Sequence, residues 1–182
     1  MAKDIVWEWL DRPGLEHLSL QIGPTAVTAE GLVLVQLGPV PVRLAYRVEL
    51  DGAWQFRHAH LTAGAERVLD LARAADGAWT VDGLARPDLA GATDIDIMVT
   101  PFTNSLPIRR LHFEPGEPQA IKVAYIALPD LTVAPAAQDY TLLAPDRLRY
   151  RSLSSDFEAE LTVDGDGLVV DYPPIWRRRS GV

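Results

Sequence analysis

Residues 42–61 contain the run Val42-Arg-Leu-Ala-Tyr-Arg-Val-Glu-Leu50, the pair Asp51-Gly52 and the run Ala53-Trp-Gln-Phe-Arg-His-Ala-His-Leu61. In the first run apolar residues stand at every second position, which is the period of a β-strand with one buried face. Asp-Gly between two such runs is a strong hairpin signal, because both residues tolerate the backbone conformations that tight turns require. The stretch therefore predicts a β-hairpin.

The same pattern recurs along the chain and predicts a mainly β fold. Asp-Gly pairs also occur at Asp76-Gly77, at Asp82-Gly83 and within 164–167. Alternating or apolar runs predict further strands at Ile5–Leu10, Leu15–Ile22, Ala26–Leu37, Arg67–Arg73, Trp79–Val81, Ile95–Val99, Ile121–Leu128, Tyr140–Leu143, Arg147–Arg151, Phe157–Val163 and Leu168–Tyr172. Many short strands at this spacing are typical of a barrel, roll or sandwich. The proline-containing stretch Ala134–Gln138 is expected to be a loop.

One short helix is expected at Thr103–Leu111. Thr103 is a suitable N-cap, and Pro107 is tolerated in a first helical turn but not deeper. Pro101 precedes the segment and Pro115-Gly116 follows it, which marks both ends.

Composition limits the possible functions. The chain has 182 residues, no cysteine and a formal net charge of −8, so we expect one domain over residues 1–182 without disulfides or thiolate metal sites. An acidic surface repels phosphate, which argues against nucleic-acid binding. No apolar run suits a signal peptide or a membrane span, so a soluble cytoplasmic protein is expected. The basic run Arg177–Arg179 is expected to be a solvated tail.

Common catalytic signatures are missing from the sequence. It contains no G-x-S-x-G elbow, phosphate-binding glycine loop or HExxH motif. His58 and His60 share one face of a strand, but no third ligand stands at a recognisable spacing, so we expect no metal site. The aspartates of 164–171 lack the glutamate that closes a calcium loop and are expected to form a hairpin turn.

The stretch from Thr93 to Leu111 combines charge with apolar residues. Asp94 and Asp96 alternate with isoleucines and share a face, and Arg109 and Arg110 follow on the expected helix. Buried arginines need partners, because an isolated buried charge costs several kcal/mol. Two partners are possible. The aspartates can form internal ion pairs with the arginines, or the guanidinium groups can hold an anionic or polyhydroxyl head group.

This stretch also carries a family resemblance. Asp94-Ile-Asp96 followed by Thr100-Pro-Phe-Thr-Asn104-Ser-Leu-Pro-Ile-Arg109-Arg110-Leu111 resembles the signature of a bacterial glycolipid-binding family, formerly a domain of unknown function. Weaker agreements extend the resemblance over nearly the whole chain, at Pro13–His17, Tyr46–Val48, Trp79–Gly83, Val123–Tyr125, Leu161–Asp164 and Asp171–Pro173.

The resemblance implies a spiral β-roll in which about fifteen short antiparallel strands wrap around one helix. It also implies homodimers, a likeness to periplasmic carriers of lipoproteins and a glycolipid or other amphipathic ligand. No catalytic residue or cofactor comes with the family, so the chain is expected not to be an enzyme. The candidate ligand-binding residues are Asp94, Asp96, Asn104, Arg109 and Arg110.

Two other functions stay open. The chain could be a structural or interaction module that acts as a homodimer, since a spiral sheet leaves edges that need cover. It could also be a hydrolase that uses Asp94, Asp96 or Glu16 as acid or base, although no motif supports that function.

Overall fold

The computed structural model of the chain describes residues 1–64 and 67–181. Its strands are β1 (Ala2–Trp9), β2 (Gly14–Ile22), β3 (Ala26–Gln36), β4 (Pro41–Asp51), β5 (Phe56–Ala63), β6 (Arg67–Arg73), β7 (Trp79–Val81), β8 (Leu84–Ala85), β9 (Asp94–Ile97), β10 (Pro118–Ala127), β11 (Thr132–Ala144), β12 (Arg147–Ser152), β13 (Glu158–Val163), β14 (Val169–Tyr172) and β15 (Trp176–Gly181). The one α-helix, α1, spans Ser105–Arg110, and 3₁₀ turns lie at Pro87–Leu89 and Phe102–Asn104.

All fifteen strands belong to one sheet, in the order β8-β7-β6-β5-β4-β3-β2-β1-β15-β14-β13-β12-β11-β10-β9. The strands at its two ends, β8 and β9, do not pair with each other, so the sheet curls around the helix without closing into a barrel. Neighbouring strands are antiparallel, as expected, except that β9 and β10 are parallel. The expected mainly β fold with one short helix is confirmed.

The hairpin at 42–61 is confirmed. Strands β4 and β5 pair antiparallel, with Tyr46 opposite Leu61. The alternating residues of β4 point into the core, where Leu44 and Val48 are fully buried. The Asp51 carboxylate holds the turn by accepting hydrogen bonds from the backbone N–H groups of Ala53 and Gln55 at 2.9 and 3.0 Å. This local bonding explains why Asp51-Gly52 starts the turn.

The loop expected at Ala134–Gln138 was wrong, because these residues belong to β11. Pro135 lies opposite Ala124 of β10. Strand β12 begins to pair with β11 only at Gln138, so Pro135 stands where β11 has a neighbour on one side only. A proline is tolerated at such an edge because its missing N–H removes no ladder hydrogen bond.

The solvated tail expected at Arg177–Arg179 was also wrong. These residues form part of β15, the last strand, which lies between β14 and the first strand, β1. Each arginine meets an acidic residue, through the pairs Arg177–Asp171 at 3.0 Å, Arg178–Asp164 at 2.7 Å and Arg179–Glu8 at 2.5 Å. The basic run is therefore held by acidic side chains of β14, of the β13–β14 turn and of β1.

The expected helix is present, but its start differs in detail. A 3₁₀ turn precedes α1, so Asn104 rather than Thr103 occupies the N-cap position and its backbone is already helical. The Thr103 hydroxyl instead accepts a hydrogen bond from the Ile97 N–H at 3.3 Å. Leu106 is fully buried, which places the helix inside the curled sheet. Within the described ranges, no helix has the length and apolar character needed to cross a bilayer.

Candidate ligand-binding cleft

The chain reverses direction after β9 and returns as α1 along the same strand. Arg110 therefore lies beside Asp94, with Nη2 2.5 Å from Oδ2 and Nε 3.4 Å from Oδ1. The Asp94 side chain is fully buried, so this contact replaces hydrogen bonds that water would otherwise make. The ion pair that the sequence allowed between an arginine and an aspartate of this segment is confirmed for these two residues.

Arg109 has a different role from Arg110. Its Nη1 donates to the Asp166 carbonyl at 2.7 Å, and its guanidinium carbon lies 4.7 Å from the centre of the Trp54 ring. Gly167 allows this approach, because a Cβ there would lie 2.9 Å from Arg109 Cδ. Arg109 thus connects the turn before β5 with the turn before β14, at the end of the roll where the helix ends.

Two adjoining cavities of about 260 and 340 Å³ lie beside the start of the helix. Residues that line both cavities are Asp96, Tyr125, Tyr150 and Phe157. The smaller cavity is also lined by Trp9, Asn104, Tyr172 and Trp176, and the larger one by Gln138. We call these two cavities the aromatic cleft. Aromatic rings with a few polar groups between them are typical of small-molecule sites.

The rings of the aromatic cleft are packed against one another. The Tyr150 ring lies 6.2 Å from the Tyr172 ring and 6.0 Å from the Phe157 ring, between centroids. Trp9 and Trp176 lie 4.7 Å apart. Because these contacts fix the rings before any ligand arrives, little side-chain entropy is lost on binding.

A row of hydrogen bonds crosses the floor of the cleft. Asn104 Nδ2 donates to the Tyr140 hydroxyl at 3.0 Å, and that hydroxyl donates to Gln138 Oε1 at 2.9 Å. Gln138 Nε2 then donates to Asp96 Oδ2 at 3.0 Å. The Thr103 hydroxyl lies 3.4 Å from Asp96 Oδ1 and donates to it. Every bond in this row has the direction that an ionised Asp96 requires, since Asp96 only accepts.

Asp96 has no cationic partner among the residues that the structure describes. Burial raises the pKa of its carboxyl above the ordinary value, and the hydrogen bonds from Gln138 and Thr103 offset part of that rise. Asp96 is nevertheless partly exposed, because it opens into the cleft. It is therefore the acidic group of the cleft that a ligand can reach.

Glu16 lies behind the cleft rather than in it. Its side chain is fully buried, and Oε1 accepts hydrogen bonds from the Tyr46 hydroxyl at 2.5 Å and from the Thr100 hydroxyl at 2.7 Å. Burial raises the pKa of Glu16 to about 8, although these two hydrogen bonds lower it. Thr100 lines the aromatic cleft, so one hydroxyl separates Glu16 from the cavity.

The histidine pair of β5 shares a face, as expected. His60 Nδ1 lies 2.9 Å and His58 Nε2 lies 3.5 Å from Asp70 Oδ1. No group of three or more possible metal ligands occurs within residues 1–64 and 67–181.

The structure brings only some of the candidate site residues to the cleft. Asp96 and Asn104 line it, whereas Asp94, Arg109 and Arg110 do not. No sequence pattern groups Tyr125, Gln138, Tyr150 and Phe157 into one site, because the first three lie on three different strands and Phe157 precedes a fourth. Their alternation with outward-facing neighbours predicts only that they point inward.

A separate cavity of about 580 Å³ lies between the β3–β4 and β5–β6 turns and Pro129. We call it the apolar groove. Apolar residues form most of its wall, and Arg43 and Arg67 also line it; its apolar members include Leu37, Val40, Val42 and Ala63. Since β1 to β6 run up and down in order, these turns lie at the same end of the roll as the β1–β2 turn, which borders the aromatic cleft.

Comparisons with known proteins agree with this architecture. The chain is similar to the crystal structure of a DUF1089 family protein, PA1994, from Pseudomonas aeruginosa, with 35% identity and a TM-score of 0.80 over 91% of this chain and 92% of that chain. A comparison with curated proteins found no match. The family described as "Putative glycolipid-binding" matches residues 4–178. Because this match spans almost the whole chain and confirms the resemblance seen in the sequence, the chain belongs to that family.

Proposed function

We propose that the chain binds the sugar head group of a glycolipid in the aromatic cleft and catalyses no reaction on it. The observation that carries the proposal is the row of hydrogen-bonding side chains from Asn104 to Asp96 beneath packed aromatic rings. Sugars present C–H faces that rings cover and hydroxyl groups that carboxylates and amides bind. The family description supports the same class of ligand.

The acyl part of such a ligand is proposed to use the apolar groove. Its volume of about 580 Å³ lies within the range of small-molecule sites. Burial of each acyl methylene in such a groove contributes about 0.8 kcal/mol. The groove and the aromatic cleft share no lining residue, so head group and chain would be held by separate parts of the roll.

A hydrolase is the second candidate, because the raised pKa of Asp96 would suit a general acid. Most glycosidases use two carboxyl groups about 5–9.5 Å apart, one on each side of the scissile bond. Asp96 is the only carboxylate among the described residues that line the cleft. Glu16 is fully buried behind Thr100 and cannot reach a substrate there. This arrangement favours binding over hydrolysis.

Native mass spectrometry of freshly purified protein, followed by lipid extraction, tests the proposal directly. Isothermal titration with octyl glucoside below its micelle concentration, beside free glucose, tests the site. We expect octyl glucoside to bind, and Phe157→Ala to weaken its binding about tenfold, which corresponds to about 1.4 kcal/mol. Leu153→Ala is the matched control, because Leu153 lies on the same connection as Phe157, is 49% exposed and does not line the cleft.

Failure of the wild-type protein to bind octyl glucoside would overturn the proposal. Equal binding by Phe157→Ala and the wild type would remove the aromatic cleft as its site. Release of a chromophore from 4-nitrophenyl glycosides, lost in Asp96→Asn, would favour the hydrolase instead.

Two expectations from the sequence accompany this proposal. We propose that the protein acts in the cytoplasm and that it is a homodimer. The alternative function, a purely structural or interaction module, requires the homodimer but not the cytoplasmic location. Cell fractionation with an antibody against the chain tests the first.

A further inference from the structure

We propose that the ligand of the aromatic cleft carries a positive charge, either the protonated amine of an amino sugar or a quaternary ammonium group. This inference rests on the proposed binding function of the cleft and narrows its ligand class. Two features carry it. Asp96 has no cationic partner in the described part of the chain, and aromatic rings line the same cavities.

Asp96 shares with fully buried Glu16 the lack of a cationic partner among the described residues, but of these two carboxylates only Asp96 lines the cleft. By contrast, three other buried or partly buried aspartates meet an arginine, in the pairs Asp94–Arg110 at 2.5 Å, Asp139–Arg151 at 2.5 Å and Asp164–Arg178 at 2.7 Å. Within residues 1–64 and 67–181, Asp96 receives hydrogen bonds only from neutral groups, the amide of Gln138 and the hydroxyl of Thr103. A carboxylate in such surroundings is stabilised by an opposite charge. A cationic ligand supplies the opposite charge that the described residues do not place beside Asp96.

The aromatic rings add a second attraction for a cation. Ammonium groups bind over the negative faces of aromatic rings, and quaternary ammonium ligands are recognised in this way. Burial raises the pKa of Tyr125 and Tyr150, and the nearby charge of Asp96 raises it further, so both hydroxyls stay neutral. A cation placed between Asp96 and these rings contacts both kinds of partner at once.

The other charges around the cleft do not oppose this assignment. Arg12 is the only described cation that lines it, and its Nε lies 3.1 Å from the Asp11 carboxylate. The Arg12 guanidinium also lies 4.8 Å from the centre of the Trp9 ring. Besides Asp96, the titratable groups facing the cleft are tyrosines, which are uncharged at neutral pH. The negative charge of the cleft is therefore that of Asp96.

The test compares octyl glucoside with the matching octyl glucosaminide, which carries an amine in place of one hydroxyl group of the sugar. A third probe, octyltrimethylammonium, carries the charge without the sugar. We expect the glucosaminide to bind the wild-type protein about tenfold or more tighter than the glucoside at neutral pH. Asp96→Asn should abolish this preference, because it should weaken glucosaminide binding by a larger factor than glucoside binding.

Asp156→Asn is the matched control, because Asp156 is an exposed carboxylate next to Phe157 that does not line the cleft. We expect this variant to keep the preference for the glucosaminide, which excludes a general effect of net charge. Thermal melts of both variants establish that they are folded before binding is compared.

The pH dependence gives an independent readout. Because burial raises the pKa of Asp96, part of the unliganded protein holds a proton there at acidic pH, and a cation must displace it. Affinity for the glucosaminide should rise as the pH passes upward through that pKa, and fall again where the amine loses its proton. The affinity for octyltrimethylammonium should rise with pH in the same way but should not fall at higher pH, because a quaternary ammonium group has no proton to lose.

The outcomes separate the two proposals. Equal binding of glucoside and glucosaminide, unchanged in Asp96→Asn, would overturn the cationic ligand and leave sugar binding in place. Binding of octyltrimethylammonium but of neither glycoside would support the proposal of a cationic ligand and overturn the proposal that the cleft binds a sugar. Absence of binding by all three probes would overturn both proposals.

Discussion

Tyr46 and Gly31 show at the scale of single residues how the roll accommodates a buried acid. They lie directly opposite each other on β4 and β3, and the Tyr46 ring covers Gly31. A Cβ at Gly31 would lie 2.1 Å from that ring, so only glycine fits there. In this position the Tyr46 hydroxyl reaches Glu16, and the Tyr46 ring stacks 6.4 Å from Phe102 at the start of the helical segment.

Glu16 gives a prediction about pH. Its pKa is about 8 in the folded chain, compared with 4.5 for the ordinary carboxyl, so below pH 4.5 both states hold the proton and full stability is present. Between pH 4.5 and 8 the unfolded chain loses that proton first, and the free energy of unfolding should fall by a few kcal/mol, at about 1.4 kcal/mol per pKa unit. Urea unfolding at several pH values measures this fall.

Glu16→Gln supplies the comparison, because its amide stays neutral at every pH. Its oxygen can accept the bonds from Tyr46 and Thr100, while its NH₂ group takes the place of Oε2, which has no hydrogen-bond partner within the described chain. Any cost of burying that NH₂ group is the same at all pH values. The stability of the variant relative to wild type should therefore rise with pH, and a constant difference would contradict the prediction.

The helix α1 shows at the scale of elements that adjacent residues can hold different parts of the fold. Arg110 binds fully buried Asp94, whereas Arg109 is 28% exposed and contacts the Trp54 ring and Asp166, through the Asp166 carbonyl and, at 3.7 Å, its partly exposed carboxylate. Arg110→Ala should cost about 3–5 kcal/mol, because it leaves the Asp94 charge buried without a partner. Arg109→Ala should cost only about 1 kcal/mol. Urea unfolding of both variants measures the difference.

A double variant checks the cause of that difference. Asp94→Asn combined with Arg110→Ala removes both charges, so it should be more stable than Arg110→Ala alone. Equal, small losses in the two arginine variants would show that the pair does not hold the helix in the roll.

Strands β11 and β15 show how the sheet overrides local composition. Proline and alanine favour a loop at 134–138, yet these residues extend β11 along the edge of β10. Three successive arginines favour a solvated tail, yet they lie in β15 between two strands. Trp176, which begins β15, is only 2% exposed and packs on Trp9. In β11 the hydrogen bonds to β10 outweigh the local preference, and in β15 the pairing with β1 and the burial of Trp176 do so.

The outer surface of the whole molecule bears on the expected homodimer. Leu15 and Leu34 lie opposite each other on β2 and β3, and each is 52% exposed. Neighbouring apolar residues exposed on a sheet are typical of interaction surfaces. We expect the wild type to be dimeric at micromolar concentration by light scattering, and Leu34→Asp to shift it towards the monomer. Leu143→Asp, at a residue 38% exposed on β11, is the control that should leave the dimer intact.

A monomeric wild-type protein would refute the homodimer. A dimer that withstands Leu34→Asp but dissociates in Leu143→Asp would place the interface on β11 instead of on β2 and β3.

Much of the fold and part of the site could be predicted from the sequence. Alternation and Asp-Gly pairs are local, so β4, β6 and β7 were located closely, and the arginine–aspartate pair was within reach because strand and helix are neighbours along the chain. The aromatic cleft was not predictable, because the residues that line it are spread along the sequence from Trp9 to Trp176. Such residues share no spacing that a sequence pattern can detect.

The sequence by itself thus determined most of the strands and turns, the helix and the family, since each depends on residues close together in the chain or on a continuous motif. Only the tertiary structure decided that β15 joins β1, that Glu16 is buried and that Asp96 faces aromatic rings while pairing with no arginine of the described residues. These features depend on which distant strands become neighbours. That choice is made by the burial and hydrogen bonding of the whole sheet, which no local stretch encodes.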